Sequence, residues 1–293
     1  MSSSTQRLPD NLRGALWLSL AMVVLTVEAM LLRLADGSVP LSSYMLLRSG
    51  AQFALGVCLL TALGEGVAGA RTKRGWLQAV RGLSSLVSWQ LYYFSFRTLD
   101  FAVATTLNFT TALFVALLAG PVMGERVGLW RWLATLVGFG GVLLVVRPGG
   151  GGDPLGIGAG LASALLGTVI VFGNRALGRS DRVETTMFWV GTITLAGSLP
   201  PAILGWQPMA SADGLLLGAA AAAGAGALWL ILLAFRVGEA SALSSIPYLR
   251  LLFAAVAGWL AFGEVPDPWT AAGCATIVAG AVLLARAEAR RTG

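Results

Sequence analysis

The residues best placed to do chemistry are charged and polar groups set inside apolar runs. The stretch SSIPYLRLLFAAVAGW, residues 244–259, carries Pro247 and, three positions later, Arg250. On a helix over 240–262 Arg250 is the middle residue, and at about 1.5 Å of rise per residue neither interface is within reach of its side chain. A charge at that depth costs roughly 2.5–3.5 kcal/mol on insertion scales. It must therefore face a wet cavity or a partner. One reading is an ion pair or a set of carbonyl contacts that fixes packing. The other is a guanidinium that lines a central cavity and meets a substrate carboxylate. Glu28 is the only acid in the interior of an apolar run, away from its ends, but it lies at about the depth of Arg48 on the next segment. Glu28–Arg48 is the expected pair, which leaves Arg250 to the cavity.

Pro247 has no N–H, so the carbonyl of Leu243 loses its helical partner and a hinge is expected. A freed carbonyl that lines a cavity can hold an ammonium group or a water; a simple packing kink is the other reading. Asn108, Gln90 and Tyr248 fall at similar depth and are expected to offer hydrogen bonds. Trp17, Trp89, Tyr93 and Trp229 are expected to supply aromatic walls. Each of these polar groups can also serve as interhelical glue, and each aromatic as packing or lipid contact. Arg81 lies toward the inner end of its segment, free to snorkel to the cytoplasm or to guard the inner mouth.

Several chemistries are excluded. The chain has no histidine, so a Ser-His dyad and histidine zinc sites are absent. Every aspartate lies at a segment end or in a loop, and no P-loop is present. No catalytic residue, metal or cofactor is expected.

The elements that hold these residues follow from composition. Apolar residues make up 56% of 293 positions and charged residues 12%, about half the charge of a soluble chain. The net charge of +6 is scattered between apolar runs, which suits membrane topology and not nucleic acid. Cys58 and Cys274 lie within apolar segments and form no disulfide framework. The polar start leads into a segment long enough to span, so no cleavable signal is expected. Ten runs reach the length of about 20 residues that a spanning helix needs: 13–35, 39–63, 76–97, 100–120, 129–147, 155–177, 183–205, 214–237, 240–262 and 268–288. With the N-terminus inside, fourteen Lys and Arg fall on inner segments and three on outer ends, so both termini are expected in the cytoplasm. Trp76, Trp130, Trp132, Trp206 and Trp269 read as interfacial anchors. Gly156-x-x-x-Gly160 and Gly214-x-x-x-Gly218 read as close-packing faces, and Glu125 and Glu264 as caps of the helices that follow them.

Shifted by 139 residues, the chain matches itself. LYYFSFRTLDFAVATT falls on LILLAFRVGEASALSS and GERVGLW on GEVPDPW, with 12 identities in the 57 positions from Leu91 to Arg147. Five helices per copy is an odd number, so the halves, 1–150 and 151–293, must be inverted in the membrane, as in many secondary transporters.

The pattern FRTLDFAVATTLNFTTALFVALLAGPVMGERVGLWRWLATLVGFGGVLLVVRP resembles the EamA repeat of the drug/metabolite transporter superfamily, twice over nearly the whole chain. The resemblance implies an all-α membrane protein of ten helices in two inverted five-helix repeats. It also implies export of small metabolites across the bacterial inner membrane, most like the exporters of amino acids of the aromatic type. The second copy departs from the first at Pro247, Tyr248 and Arg250. A transporter of sugar phosphates or nucleotide-linked sugars would also use a midplane cation, and a channel is the third reading. The expected partners are a small-molecule substrate and the lipid bilayer; a monomer is compatible with all of this.

Overall fold

The computed structural model describes residues 10–35, 40–99, 101–125, 127–147, 153–205, 211–263 and 267–292; some side chains within these stretches, that of Tyr93 included, lie outside the described residues, as do Trp206 and Glu264. Every described element is helical. In chain order they are α1 (Asp10–Leu34), α2 (Leu41–Ala62), α3 (Gly75–Thr98), α4 (Phe101–Phe109), α5 (Thr111–Met123), α6 (Leu129–Val146), α7 (Pro154–Leu177), α8 (Val183–Leu204), α9 (Ser211–Val237), α10 (Ala240–Leu243), α11 (Leu249–Phe262) and α12 (Pro268–Thr292). A helix satisfies its own backbone, which is what the interior of a bilayer demands.

Among the described residues, eight segments are long and apolar enough to cross a membrane, and a ninth, Pro268–Leu284, is apolar but shorter. The chain is a multi-pass membrane protein. α3 has the length but is not among them, because Gln78, Arg81, Ser84, Ser85, Ser88 and Gln90 run along it.

Two spans are broken. The segment expected at 240–262 divides into α10, a 3-10 turn over Ile246–Tyr248 that contains Pro247, and α11; the interruption lies where the proline removes a donor. The segment expected at 100–120 also divides, at Thr110, with no proline there. Thr110 Oγ1 donates to the Leu107 carbonyl at 2.6 Å, and Thr111 Oγ1 to the Asn108 carbonyl at 2.7 Å and the Ala164 carbonyl at 3.2 Å. Threonine hydroxyls that bond backbone carbonyls compete with the helical ladder and bend it.

The helices pack in a regular scheme. α1 runs along α9, α3 along α7, α2 along α8 and α6 along α12, while α4 and α5 lie on α7 and α10 and α11 on α1. Exchanging the first half of the chain with the second maps this scheme onto itself. Glycines set the closest approaches: a Cβ on Gly56 would lie 2.8 Å from the Phe188 backbone and one on Gly191 2.5 Å from that of Phe53. Gly141 and Gly273 face each other in the same way between α6 and α12. Gly156 presses on Thr98 and Leu99 and Gly160 on Ser95 and Leu107, as expected of a packing face. Gly214 and Gly218 do not, since a Cβ on either would meet nothing within 4 Å.

The first Gly-Glu landmark has a different role from the one expected, and Glu264 of the second lies outside the described residues. Gly124 and Gly263 end α5 and α11 in the left-handed region, φ 69° and 67°, where a side chain would be strained. Glu125 does not cap α6. Its two carboxylate oxygens accept the backbone N–H groups of Ala240 and Ser241, each at 2.9 Å, at the start of α10. Arg131, buried on α6, donates to Ser241 Oγ at 2.8 Å and pairs with Glu239, while Asn11 Oδ1 accepts the Glu239 N–H. This cluster ties α10 to α5, α6 and α1. At the other end of α6, Arg147 pairs with Asp267 ahead of α12 and, with the Thr270 N–H, holds that carboxyl down at about 2.

Candidate functional site

Two cavities lie inside the bundle. The first, about 330 Å³, is walled by charged and polar groups from α1, α2, α3, α7 and α8: Glu28, Arg48, Gln52, Arg81, Asn174 and Thr194 among them. The second, about 310 Å³, is bounded by Trp89, Tyr92, Asn108, Phe109, Pro247 and Tyr248. Leu25, Trp89, Ile170 and Arg250 line both. Arg250 therefore stands where a polar chamber meets an aromatic one.

The polar chamber is built from stripes on neighbouring helices. Tyr44, Arg48 and Gln52 recur every four residues on α2 and share a face. Gln78, Arg81, Ser85 and Ser88 recur at intervals of three and four on α3. Arg48 Nε donates to Glu28 Oε1 at 2.7 Å, the expected pair, and Tyr44 Oη donates to the same oxygen. The Arg48 guanidinium also lies 5.2 Å from the centre of the Trp89 ring, within range of a cation–π contact. Gly224 on α9 makes room for this pair, and Gly173 on α7 for the stem of Arg81. Arg81 is only 3% exposed; its Nε donates to Asn174 Oδ1 at 2.8 Å and Nη1 to Ser85 Oγ at 3.0 Å, both neutral acceptors. Among the described residues neither Arg81 nor Arg250 has a carboxylate partner. Three guanidiniums thus face one carboxylate across the chamber.

The expected site residues separate on this geometry. Arg250 and Trp89 line both cavities, Gln90 the polar one, and Asn108, Tyr248 and Pro247 the aromatic one. Tyr248 is 1% exposed, its ring held against Phe109 and Phe139 and over Gly138; its hydroxyl is buried without a hydrogen-bond partner. Trp17 is 39% exposed on α1 and lines neither cavity, so it is not a wall of the site. Trp229 is also displaced from it: the ring packs between two apolar clusters along α9. The side chain of Tyr93 lies outside the described residues. Arg81 does not snorkel: it is buried and forms part of the chamber wall. Its place was signalled by the polar stripe on α3, as that of Arg48 was by the one on α2.

Comparison with known proteins sets this geometry in a family. The EamA-like transporter family matches twice, over residues 12–147 and 154–286. The chain is 27% identical over 285 residues to a riboflavin transporter of Rhizobium johnstonii, covering 95% of this chain and 92% of that one. It is 25% identical over 218 residues to an S-adenosylmethionine uptake transporter of Rickettsia prowazekii, covering 74% of each. Human solute carrier family 35 member G1 is 26% identical over 219 residues, 69% of this chain and 60% of that one. A crystal structure at 22% identity has the same fold, with a TM-score of 0.79 over 92% of this chain and 96% of its own. None of these names is that of an amino acid exporter. The chain belongs to the EamA-like transporter family, and it is a membrane transporter, not an enzyme.

Proposed function

We propose that the protein is an alternating-access carrier of amino acids and related carboxylate-bearing metabolites across the bacterial plasma membrane. Its frame would be ten spans in two inverted repeats, 1–150 and 151–293, with both termini in the cytoplasm. The self-exchanging packing scheme and the excess of inner Lys and Arg support that frame. The two halves would rock about the cavities, and the breaks at Thr110 and Pro247 supply the compliant points.

The observation that carries the reading is Arg250. It lines both cavities, has no carboxylate partner among the described residues, and takes the place of Thr111 in the alignment of the two repeats. A substrate carboxylate on this guanidinium would leave its side chain to the aromatic chamber beside Trp89 and Tyr92, with Asn108 and Gln90 offering hydrogen bonds. S-adenosylmethionine, in the name of one relative, is itself an α-amino acid that carries a planar base. Export is one direction of such a cycle; without a coupling ion, flux follows the substrate gradient.

The test is counterflow by the purified chain in liposomes, with a panel of amino acids. Saturable exchange without channel current is expected, and Arg250→Gln should raise the KM by about tenfold or more, the worth of a hydrogen bond to a charged group. Unchanged transport by that variant refutes the assignment. The second reading, phosphorylated or nucleotide-linked sugars, gains from the excess of guanidiniums in the polar chamber.

A further inference from the structure

Resting on the carrier reading above, we infer that the substrate carries two anionic groups, and that Arg81 is the specificity-determining residue that binds the second. A single carboxylate on Arg250 answers only part of the charge in the polar chamber. Of its three guanidiniums, that of Arg48 is matched by Glu28. Arg81 and Arg250 remain without an ion pair among the described residues; Glu28, already held by Arg48 and Tyr44, acts on Arg250 only from longer range. Arg81 is buried and Arg250 half-buried, and each also feels the like charge of Arg48 in the same cavity, so both have lost hydration and gained repulsion. A ligand with two negative charges relieves both costs, and a monoanion or zwitterion relieves one.

The fold itself does not require these charges. Exchange of the halves sets α9 in the place of α3 and α8 in that of α2. Between Asp213 and Arg236 α9 has no charged residue, and α8 has none after Glu184. Equivalent helices therefore pack without an arginine at such depth. Arg81 is also built in with care. Gly173 leaves space for its stem, and Asn174 and Ser85 fix the plane of the guanidinium using only Nε and Nη1. The two contacts orient the group without discharging it. An arginine held this way presents its remaining N–H donors as a fork suited to a carboxylate or a phosphate.

The chamber of about 330 Å³ admits a small dianionic head, and the aromatic chamber beyond Arg250 takes the rest of the molecule. The second anionic group can be a carboxylate or a phosphate monoester; both match the fork.

Pairs of compounds that differ by one anionic group test this directly. The wild-type chain in liposomes is assayed by counterflow with glutamate against glutamine, and with phosphoserine against serine. The expected result is a KM about tenfold lower for the more anionic member of at least one pair. A preference for glutamate identifies a dicarboxylate, and one for phosphoserine a phosphate ester. Arg81→Gln should bring the KM ratio within that pair to about one, whatever its effect on the absolute rates, whereas a purely structural arginine would slow both members alike and leave the ratio unchanged. Arg81→Lys keeps the charge and should keep part of the preference; it also serves if Arg81→Gln does not fold. Equal transport of both members of each pair by the wild type overturns the inference and leaves the carrier reading intact. The same holds for equal losses across a pair in a folded Arg81 variant. Absence of saturable counterflow for every compound, and for the wider amino acid panel, removes the carrier reading and this inference with it.

Discussion

Gly224 and Gly226 stand two residues apart on α9, and the same substitution should act on them with opposite sign. A Cβ on Gly224 would lie 2.6 Å from Glu28 Oε1 and 2.9 Å from both Glu28 Cδ and Arg48 Nε. A Cβ on Gly226 would meet nothing within 4 Å. Alanine is favoured over glycine inside a helix by about 1 kcal/mol, and at 226 no contact opposes that gain. At 224 the methyl group must push back a carboxylate that Arg48 holds at 2.7 Å and Tyr44 holds from the other side. Overpacking of this kind costs about 1–3 kcal/mol. Gly224→Ala should therefore be destabilised by about 0–2 kcal/mol and Gly226→Ala stabilised by up to about 1 kcal/mol, once the propensity gain is set against the clash. Reversible unfolding of the two variants in mixed micelles measures the difference. Equal shifts in the same direction would show that the Glu28–Arg48 pair is not pressed against α9, and the wall of the polar chamber would have to be redrawn.

Two further perturbations follow from the packing. Gly138→Ala would place a methyl group 2.5 Å from Cδ2 of Tyr248, forcing that ring off its seat beside the aromatic chamber; a loss of about 1–3 kcal/mol in stability is expected, with a raised KM in counterflow for any substrate that uses that chamber. Glu125→Gln turns one of two acceptors into an NH₂ group facing a backbone N–H of α10; the loss should be about 1–3 kcal/mol in the unfolding free energy, and an unchanged value would show that the carboxylate does not fasten α10.

The fold was legible because lipid makes the rules strict. Apolar length marks spans, and Pro247 marks the break in the ninth. The break at Thr110 was not legible, since it depends on where two hydroxyls find carbonyls, one of them on α7. Depth along a helix can be counted from sequence, and it correctly paired Glu28 with Arg48. Direction around the helix cannot be counted so easily in an apolar run, which has little polar face to set the phase. That is why Trp17 and Trp229, at suitable depth, turned out to line neither cavity.

Direction is recoverable where a helix carries a polar stripe, and α3 carries one. Gln78, Arg81, Ser85 and Ser88 share a face by spacing alone, and a stripe of that kind within lipid must meet protein or water. Snorkelling was offered for Arg81 because a long cation near a helix end can always be imagined reaching the interface. The serines deny it that escape: short hydroxyls cannot reach the interface, so the face they share points inward, and the arginine on it points inward too. The same logic ranks the three guanidiniums of the chamber. Arg48 is on a stripe with Tyr44 and has Glu28 to meet, so its charge is answered within the protein. Arg81 is on a stripe of neutral groups, and Arg250 follows a proline with no stripe at all. On the carrier reading those two charges would be answered by the substrate, in the cavity that both residues line.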